Sequence, residues 1–314
     1  MSFAIQVEDL HHDYGGRVAL DGLHLTVDEG QIFALLGPNG SGKTTLFRIL
    51  CTLIPPKSGR VKLAGFDVAT QQAAVRAAIG IVFQSPSLDK KLTVRENIRC
   101  QAALYGLRRP ELEKREAELM QQLGLLDRAH EFTETLSGGL RRRVELAKGM
   151  VHRPRLLLLD EPSTGLDPGA RADMWQYLQR LRDEFGVSVV LTTHLLEEAD
   201  RADSIAIMNA GRTVATGTPD ELRDQAGETT VSIECDDAEA LAPLIQQRLS
   251  CPATVVDRQI RLDAGAGQAD VGLLMQTFPD EIKAIRIGKP TLEDVFVTHT
   301  GHQFWRPKDT TDDN

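Results

Sequence analysis

The chain lacks three features that would each indicate a particular class of protein: paired cysteines, a basic excess and a long apolar run. Its four cysteines (Cys51, Cys100, Cys235 and Cys251) show no Cys-x-x-Cys spacing, which argues against a zinc site or a disulfide framework. The 45 acidic residues outnumber 36 basic ones, and the net charge of −9 disfavours binding to nucleic acid or to anionic lipid. No apolar run approaches the ~20 residues of a membrane-crossing helix, and we expect no targeting segment.

The 314 residues have the composition of a globular protein, and the length favours two domains. Apolar strands at 32–36, 156–159 and 187–192 alternate with amphipathic helices near 43–53 and 171–184. Continuously apolar strands alternating with helices are typical of a parallel sheet covered on both faces. We therefore predict an α/β fold.

Changes in composition divide the chain into further regions. In residues 1–36, short β-type runs are separated by turns, including one at Asp21-Gly22, and residues from about 85 to 150 favour a helical subdomain. We expect the first domain to span 1–220 and a small α+β domain to span 221–301. Its predicted strands are 230–235, 255–262 and 282–287, with helices at 238–249, 269–277 and 291–300. The polar tail, 302–314, is predicted to be disordered.

A glycine-rich segment follows the strand at 32–36 and matches the pattern G-x-x-x-x-G-K-[ST]. Its residues are Gly37, Pro38, Asn39, Gly40, Ser41, Gly42, Lys43 and Thr44, followed by Thr45. Glycines allow consecutive backbone N–H groups to face an anion at a helix N-terminus. Lys43 then supplies a charge for the β- and γ-phosphates of a nucleotide, and the Thr44 hydroxyl is placed to bind Mg²⁺.

Two adjacent acidic residues, Asp160 and Glu161, end the apolar strand at 156–159. Neighbouring side chains on a strand point to opposite faces, so the two carboxylates are predicted to have different roles. We assign Asp160 to the Mg²⁺ shell and Glu161 to the polarisation of an attacking water.

A second candidate anion site is the turn Ser137-Gly138-Gly139, which opens a helix. The triplet 141–143 in that helix consists of three arginines, and we interpret it as a solvated helix face because the protein is acidic and no aromatic residues interleave. One chain thus carries two phosphate-binding surfaces, although one nucleotide fills the first.

These motifs occur in an order that resembles the nucleotide-binding subunits of ATP-binding cassette (ABC) proteins over about residues 3–220. The segments are GPNGSGKTT, Phe83-Gln84, LSGGL, LLLLDEP, STGLD at 163–167 and Thr193-His194. The resemblance implies a P-loop NTPase cassette: a mixed sheet core, an N-terminal antiparallel β-subdomain and a helical insert.

The same resemblance implies roles for further residues. Tyr14 would stack on adenine, Gln84 would touch the Mg²⁺ shell, Asp167 would shape the subunit contact and His194 would hold the γ-phosphate. Each has a simpler structural alternative: Tyr14 as a packed aromatic, Gln84 as a loop amide, Asp167 as a helix cap and His194 as a surface side chain. The family also implies a homodimer in which the 137–139 turn of one subunit closes over ATP held by the other. Leu140 replaces the glutamine that the family most often has there.

The C-terminal segment Pro290–Phe296 resembles the ending of ATPase subunits of the daunorubicin-resistance type of exporter. Such a subunit uses ATP and Mg²⁺, binds no nucleic acid and lies on the cytoplasmic face of the membrane through a separately encoded permease. The alternatives are an importer ATPase and a non-transport ABC protein acting in translation or chromosome mechanics. The latter usually has two cassettes or a long coiled coil, and this chain shows neither.

Overall fold

The computed structural model describes residues 2–226, 229–249, 253–256, 259–262, 270–300 and 304. By its internal contacts the chain divides into two units, Met1–Thr213 and Val214–Asn314. The sequence pattern placed this boundary at residue 220, and the structure places it earlier, after Thr213. No helix among the described residues is both long enough and apolar enough to cross a membrane.

The elements of the first unit alternate between strands and helices. The strands are β1 Phe3–Tyr14, β2 Arg17–Asp28, β3 Ile32–Leu36, β4 Ser58–Leu63, β5 Phe66–Asp67, β6 Ile79–Val82, β7 Leu156–Asp160, β8 Ser188–Thr193, β9 Ser204–Asn209 and β10 Arg212–Gly217, the last of which crosses into the second unit. The helices are α1 Lys43–Leu50, α2 Gln72–Ala78, α3 Val94–Leu104, α4 Glu111–Gln122, α5 Gly138–Met150, α6 Pro168–Phe185 and α7 Leu196–Ala199. The sequence pattern missed α2, β9 and β10.

A six-stranded sheet with the order β10-β9-β3-β8-β7-β6 forms the centre of this unit. The five strands from β9 to β6 are parallel, and β3, β7 and β8 are buried at every residue, as predicted for strands of a sheet covered on both faces. Only Ala210 and Gly211 separate β9 from β10, a connection that suits antiparallel neighbours and makes the sheet mixed. The carboxyl ends of the parallel strands share one edge, where ligands bind in open α/β sheets.

The expected N-terminal β-subdomain is an antiparallel sheet with the order β2-β1-β4-β5. The predicted break at Asp21-Gly22 is wrong, because β2 runs through it. Gly22 adopts a φ of 63°, and the register with β1 shifts between Leu10 and His12. A glycine in the left-handed region forms a bulge here rather than a turn, so the strand bends without ending.

The residues predicted as a helical subdomain, about 85–150, contain α3, α4 and α5. Thr93 and Glu96 form a reciprocal capping box at the start of α3. The interpretation of the arginine triplet as a solvated face is wrong for Arg142, which is only 6% exposed. Its side chain turns inward to main-chain and carboxylate acceptors, which periodicity alone does not reveal.

The second unit contains a separate four-stranded antiparallel sheet with helices, where the sequence pattern predicted an α+β domain with three strands. Its elements are α8 Pro219–Gln225, β11 Thr230–Cys235, α9 Ala238–Leu249, β12 Ala253–Val256, β13 Gln259–Leu262, α10 Asp270–Thr277, β14 Ile282–Gly288 and α11 Leu292–Thr300. The sheet order is β12-β13-β11-β14. The single strand predicted at 255–262 is instead parts of two paired strands, β12 and β13.

The predicted disordered tail, 302–314, lies outside the described residues except for Phe304, as does residue 301 of the predicted domain. Phe304 contradicts the prediction at its own position, because its ring is buried and contacts the Phe296 ring edge-on at 4.9 Å between centroids.

Candidate functional site

The glycine-rich segment forms the connection between β3 and α1, as predicted. Gly40 and Gly42 have φ values of 83° and 104°, in the region that L side chains rarely adopt. A Cβ on Gly42 would lie 2.7 Å from the main-chain oxygen of Ala19, so the loop has no room for a side chain there. The sequence of the loop is therefore fixed by backbone conformation and by close packing.

Lys43 points back into its own loop. Its Nζ donates hydrogen bonds to the main-chain oxygens of Gly37 at 2.6 Å and Pro38 at 3.0 Å. Burial lowers the pKa of Lys43, and the nearby carboxylates of Glu161 and Asp160 partly oppose this effect. The ammonium group is thus enclosed next to both acidic residues.

Ser41 adds a second polar group to the loop, and its hydroxyl is buried with no hydrogen-bond partner. A buried hydroxyl without a partner leaves hydrogen-bonding capacity in the loop unsatisfied.

A cavity of about 450 Å³ opens beside the loop. Its lining combines loop residues, Glu161 and the end of β1 with the start of β2: Tyr14, Arg17, Val18, Ala19, Asn39, Gly40, Gly42, Lys43, Thr44, Thr45, Arg48 and Glu161. Tyr14 is 47% exposed, and its ring lies edge-to-face with that of His12 at 4.9 Å between centroids. The sequence pattern missed Arg17 and Arg48, and only their proximity to glycine motifs could have indicated them.

Glu161 lies at the centre of a hydrogen-bonded group of side chains. Its carboxylate accepts from Gln84 Nε2 at 3.0 Å and from Thr164 Oγ1 at 3.3 Å, and it lies 3.0 Å from Nδ1 of His194. Gln84, Glu161 and His194 follow the strands β6, β7 and β8, which are consecutive in the sheet. The sheet order therefore brings together three residues that are distant in sequence.

Asp160 is linked to Glu161 through the hydroxyl of Thr192. Its carboxylate accepts from Thr192 Oγ1 at 2.6 Å, and the same Thr192 oxygen accepts the main-chain N–H of Glu161 at 2.9 Å. Burial raises the pKa of Asp160, the Thr192 hydrogen bond lowers it, the Glu161 charge raises it, and Lys43 lowers it. The predicted alternation of side chains along a strand does not explain the position of Glu161. The strand β7 ends at Asp160, and Glu161 has a φ of 41°, outside the range of a strand. Thr192 was not singled out from the sequence.

The turn Ser137-Gly138-Gly139 lies at the start of α5, as predicted. Ser137 Oγ accepts from the N–H of Leu140 at 3.3 Å, and Ser137 and Gly138 are exposed. A Cβ on Gly139 would lie 2.9 Å from that of Ala170, so α5 packs closely on the start of α6.

Asp167 caps α6, and its side chain accepts the N–H of Ala170 at 2.9 Å. This residue therefore has the helix-cap role that the sequence offered as the alternative to a role at the subunit contact. Among the described residues, neither Asp167 nor the 137–139 turn lines the cavity next to Lys43. The structure thus joins the predicted site residues into two groups on one subunit: those around the loop and Glu161, and those at the start of α5 and α6.

Comparison with known proteins gives consistent matches. Residues 20–164 match the family model described as ABC transporter. The daunorubicin resistance ATP-binding protein DrrA3 of Streptomyces coeruleorubidus is 38% identical over 95% of this chain and 96% of its own length. The Nod factor export ATP-binding protein I of Cupriavidus metallidurans is 39% identical over 77% of this chain and 80% of its own.

A solved structure also resembles the chain. It is the dimeric post-hydrolysis state of the ATP-binding cassette MJ0796 bound to ADP and Pi, with a TM-score of 0.61 and 27% identity. The match covers 68% of this chain and 98% of that one.

Proposed function

The chain belongs to the ABC transporter family, and from this premise we propose that it is the ATP-binding and ATP-hydrolysing subunit of an exporter. The proposal is supported by relatives that are named for drug resistance and for export and that match most of its length. Such a subunit works with a separately encoded permease and lies at the cytoplasmic face of the membrane through that partner. We assign hydrolysis to residues 1–220 and an accessory role to residues 221–301. The relatives named above give no support to the importer and non-transport alternatives.

The observation that carries the proposal is the position of Glu161. Its carboxylate lines the cavity next to Lys43 and is oriented by Gln84, Thr164 and His194. A carboxylate held from several sides can polarise a water for attack on the γ-phosphate. It accepts a proton from that water as the new oxygen–phosphorus bond forms and the bond from the γ-phosphorus to the bridging oxygen of the leaving ADP breaks. Nucleotide hydrolysis then follows from positioning and charge.

The remaining loop and cavity residues bind the nucleotide. The exposed Tyr14 side chain would stack on adenine, and the backbone N–H groups of 39–45 would surround the phosphates. Lys43 exchanges its contacts with Gly37 and Pro38 for the β- and γ-phosphate oxygens, because an enclosed ammonium group gains more from an anion than from two neutral carbonyls. His194 holds the γ-phosphate.

The donor set at this edge of the sheet suits Mg²⁺, which prefers oxygen ligands. The Thr44 hydroxyl, the Asp160 carboxylate and the Gln84 amide oxygen would hold the ion, and the buried, unpaired Ser41 hydroxyl supports an anionic ligand beside them. When bound, Mg²⁺ neutralises charge on the phosphate oxygens. Thr192 keeps Asp160 oriented for that role.

The second group of residues supports a homodimer. Ser137 and Gly138 are exposed at a helix N-terminus, and neither they nor Asp167 line the cavity of their own subunit. In a two-fold dimer the turn of one subunit would close over the nucleotide of the other, and Asp167 would lie at the contact. Two identical composite sites would result.

The experiment is the variant Glu161→Gln, which keeps the size of the side chain and removes the base. We expect ATP binding to persist and hydrolysis to fall by at least about 100-fold, the range of general-base catalysis. The unhydrolysed nucleotide should hold two subunits together, so size-exclusion chromatography with ATP and Mg²⁺ should show a dimer.

The matched control is Glu197→Gln, which lies in the short helix α7 and outside the Glu161 group. Normal turnover in Glu161→Gln would overturn the general-base assignment. An elution volume that ATP does not change would overturn the composite-site model.

A further inference from the structure

A ring of hydrogen bonds joins α5 to the two segments that carry Gln84 and Glu161. Arg142 donates from Nε to the main-chain oxygen of Pro162 at 2.8 Å and from Nη1 to that of Phe83 at 2.7 Å. Pro162 directly follows Glu161, and Phe83 directly precedes Gln84. Because Gln84 donates to Glu161, the ring closes through the two side chains.

The same face of α5 also fixes the far end of the Gln84 segment. Arg142 pairs with Glu145 at 3.0 Å, and the other oxygen of Glu145 accepts the N–H of Ser87 at 2.7 Å. One turn further, Lys148 donates to the main-chain oxygen of Ser87 at 2.6 Å. The segment from Phe83 to Ser87 is thus tied to α5 at both ends, with Gln84 between them.

The burial of this pair makes its hydrogen bonds specific. Arg142 is 6% exposed and Glu145 is 3% exposed. A guanidinium group presents several donors in a rigid planar fork, so one side chain can reach two carbonyls and a carboxylate in fixed directions. Lysine has the same charge but a single nitrogen, and it cannot reproduce that geometry.

We propose that Arg142, together with Glu145, is a positioning residue that sets the distance between Gln84 and the Glu161 carboxylate. This inference rests on the proposed hydrolysis at Glu161. Arg142 acts through the backbone on both sides of the reacting group, so its loss changes the rate of the chemical step and leaves nucleotide binding at the 37–45 loop intact.

The test is the variant Arg142→Lys, with ATP binding to the monomer and steady-state hydrolysis measured separately. We expect kcat to fall by about 10- to 100-fold, the effect of a small misplacement of a catalytic group. ATP affinity should change by less than about twofold, because no contact of the loop is lost.

The matched control is Arg115→Lys, which replaces another buried arginine. Arg115 is 7% exposed and donates to the main-chain oxygen of Met150 at 2.8 Å, at the far end of α5. It should lower the unfolding midpoint and keep kcat within about twofold, so a general effect of losing a buried guanidinium is separated from positioning.

A double-mutant cycle gives the decisive readout. In the Glu161→Gln background the base is already absent, so adding Arg142→Lys should lower the residual rate far less than it does alone. Losses that multiply would overturn the proposal and leave Arg142 as a structural residue.

A second variant tests the proposal if Arg142→Lys fails to fold. Arg142→Met with Glu145→Met removes both charges, so no buried charge is left unpaired. It should show the same loss of kcat with monomer ATP binding preserved. Wild-type kcat in Arg142→Lys or in the double Met variant, beside an inactive Glu161→Gln, would refute only the role of Arg142. Normal turnover in Glu161→Gln would instead refute the proposed function itself.

Discussion

Replacing Thr192 by valine tests whether one buried hydroxyl holds both acidic residues in place. Thr192 is 1% exposed, donates to Asp160 at 2.6 Å and accepts the N–H of Glu161 at 2.9 Å. Valine has the same branched shape and suits a buried strand, so the packing of β8 should remain. Both hydrogen bonds are lost, because valine has neither a donor nor an acceptor.

The expected loss of stability follows from those two bonds. A hydrogen bond to a charged group contributes about 1.5–3 kcal/mol, and a buried N–H left unpaired costs about 1–3 kcal/mol. Glu161 is only partly buried, so we take the second cost at its lower end. We therefore expect the free energy of unfolding to fall by about 3 kcal/mol.

The same substitution should weaken the metal site. The Thr192 hydrogen bond lowers the pKa of Asp160 against the effect of burial, so its loss raises that pKa further. A carboxylate that is less oriented and more easily protonated binds a cation less tightly. Half-maximal ATPase activity should therefore require more Mg²⁺.

Urea unfolding followed by circular dichroism measures the stability, and a Mg²⁺ titration of the ATPase rate measures the second effect. The control is Thr213→Val, since Thr213 donates to the main-chain oxygen of His24 at an exposed position. It should cost less than about 1 kcal/mol. A loss below about 1 kcal/mol in Thr192→Val with an unchanged Mg²⁺ requirement would refute the reasoning.

Two further predictions concern the 137–139 turn and the pH dependence of stability. Ser137→Arg should abolish turnover while a fluorescent ATP analogue still binds the monomer, because the exposed turn would serve the partner's nucleotide; equal losses of both would contradict a trans role. Burial raises the pKa of Asp160 above its ordinary 3.8, so its contribution to stability is present below that value and is lost as the pH rises through the folded pKa. Asp160→Asn should therefore gain stability relative to the wild type as the pH rises above about 4, the ordinary pKa of an aspartate, and an offset in urea midpoints that does not vary with pH would contradict this.

The parts of the fold that depend on local sequence could be predicted. Apolar runs predicted the strands β3, β7 and β8. Strand β11 and helix α9 have the bounds that their sequence patterns predicted. The misjudged break in β2 shows the limit, because Gly22 can end a strand or bulge within it. The choice depends on pairing with β1, which is not local.

The direction of the arginine side chains could not be predicted either. Charge and hydropathy are the same for the three neighbours in the 141–143 triplet, yet Arg142 alone among them is buried. Its acceptors are 59 residues away at Phe83 and 20 residues away at Pro162. No helical period contains that information, because it depends on where two loops of other strands approach α5.

The order of strands in the sheet explains the site better than any single motif. In sequence, the whole helical insert lies between β6 and β7, and α6 lies between β7 and β8. In the sheet, β7 lies between β8 and β6, with Val82 opposite Leu159 and Asp160 opposite Thr192. The residue that follows the middle strand therefore has a neighbour on each side.

That residue is Glu161, and its neighbours are His194 and Gln84. A carboxylate that followed β6 would have a neighbouring strand end on one side only, because β6 is the edge strand of the sheet. A strand with two neighbours, such as β7, therefore suits a base that must be held from both sides while its third side faces the cavity. Motif order along the chain identifies the residues, and strand order accounts for the positioning of the base among them.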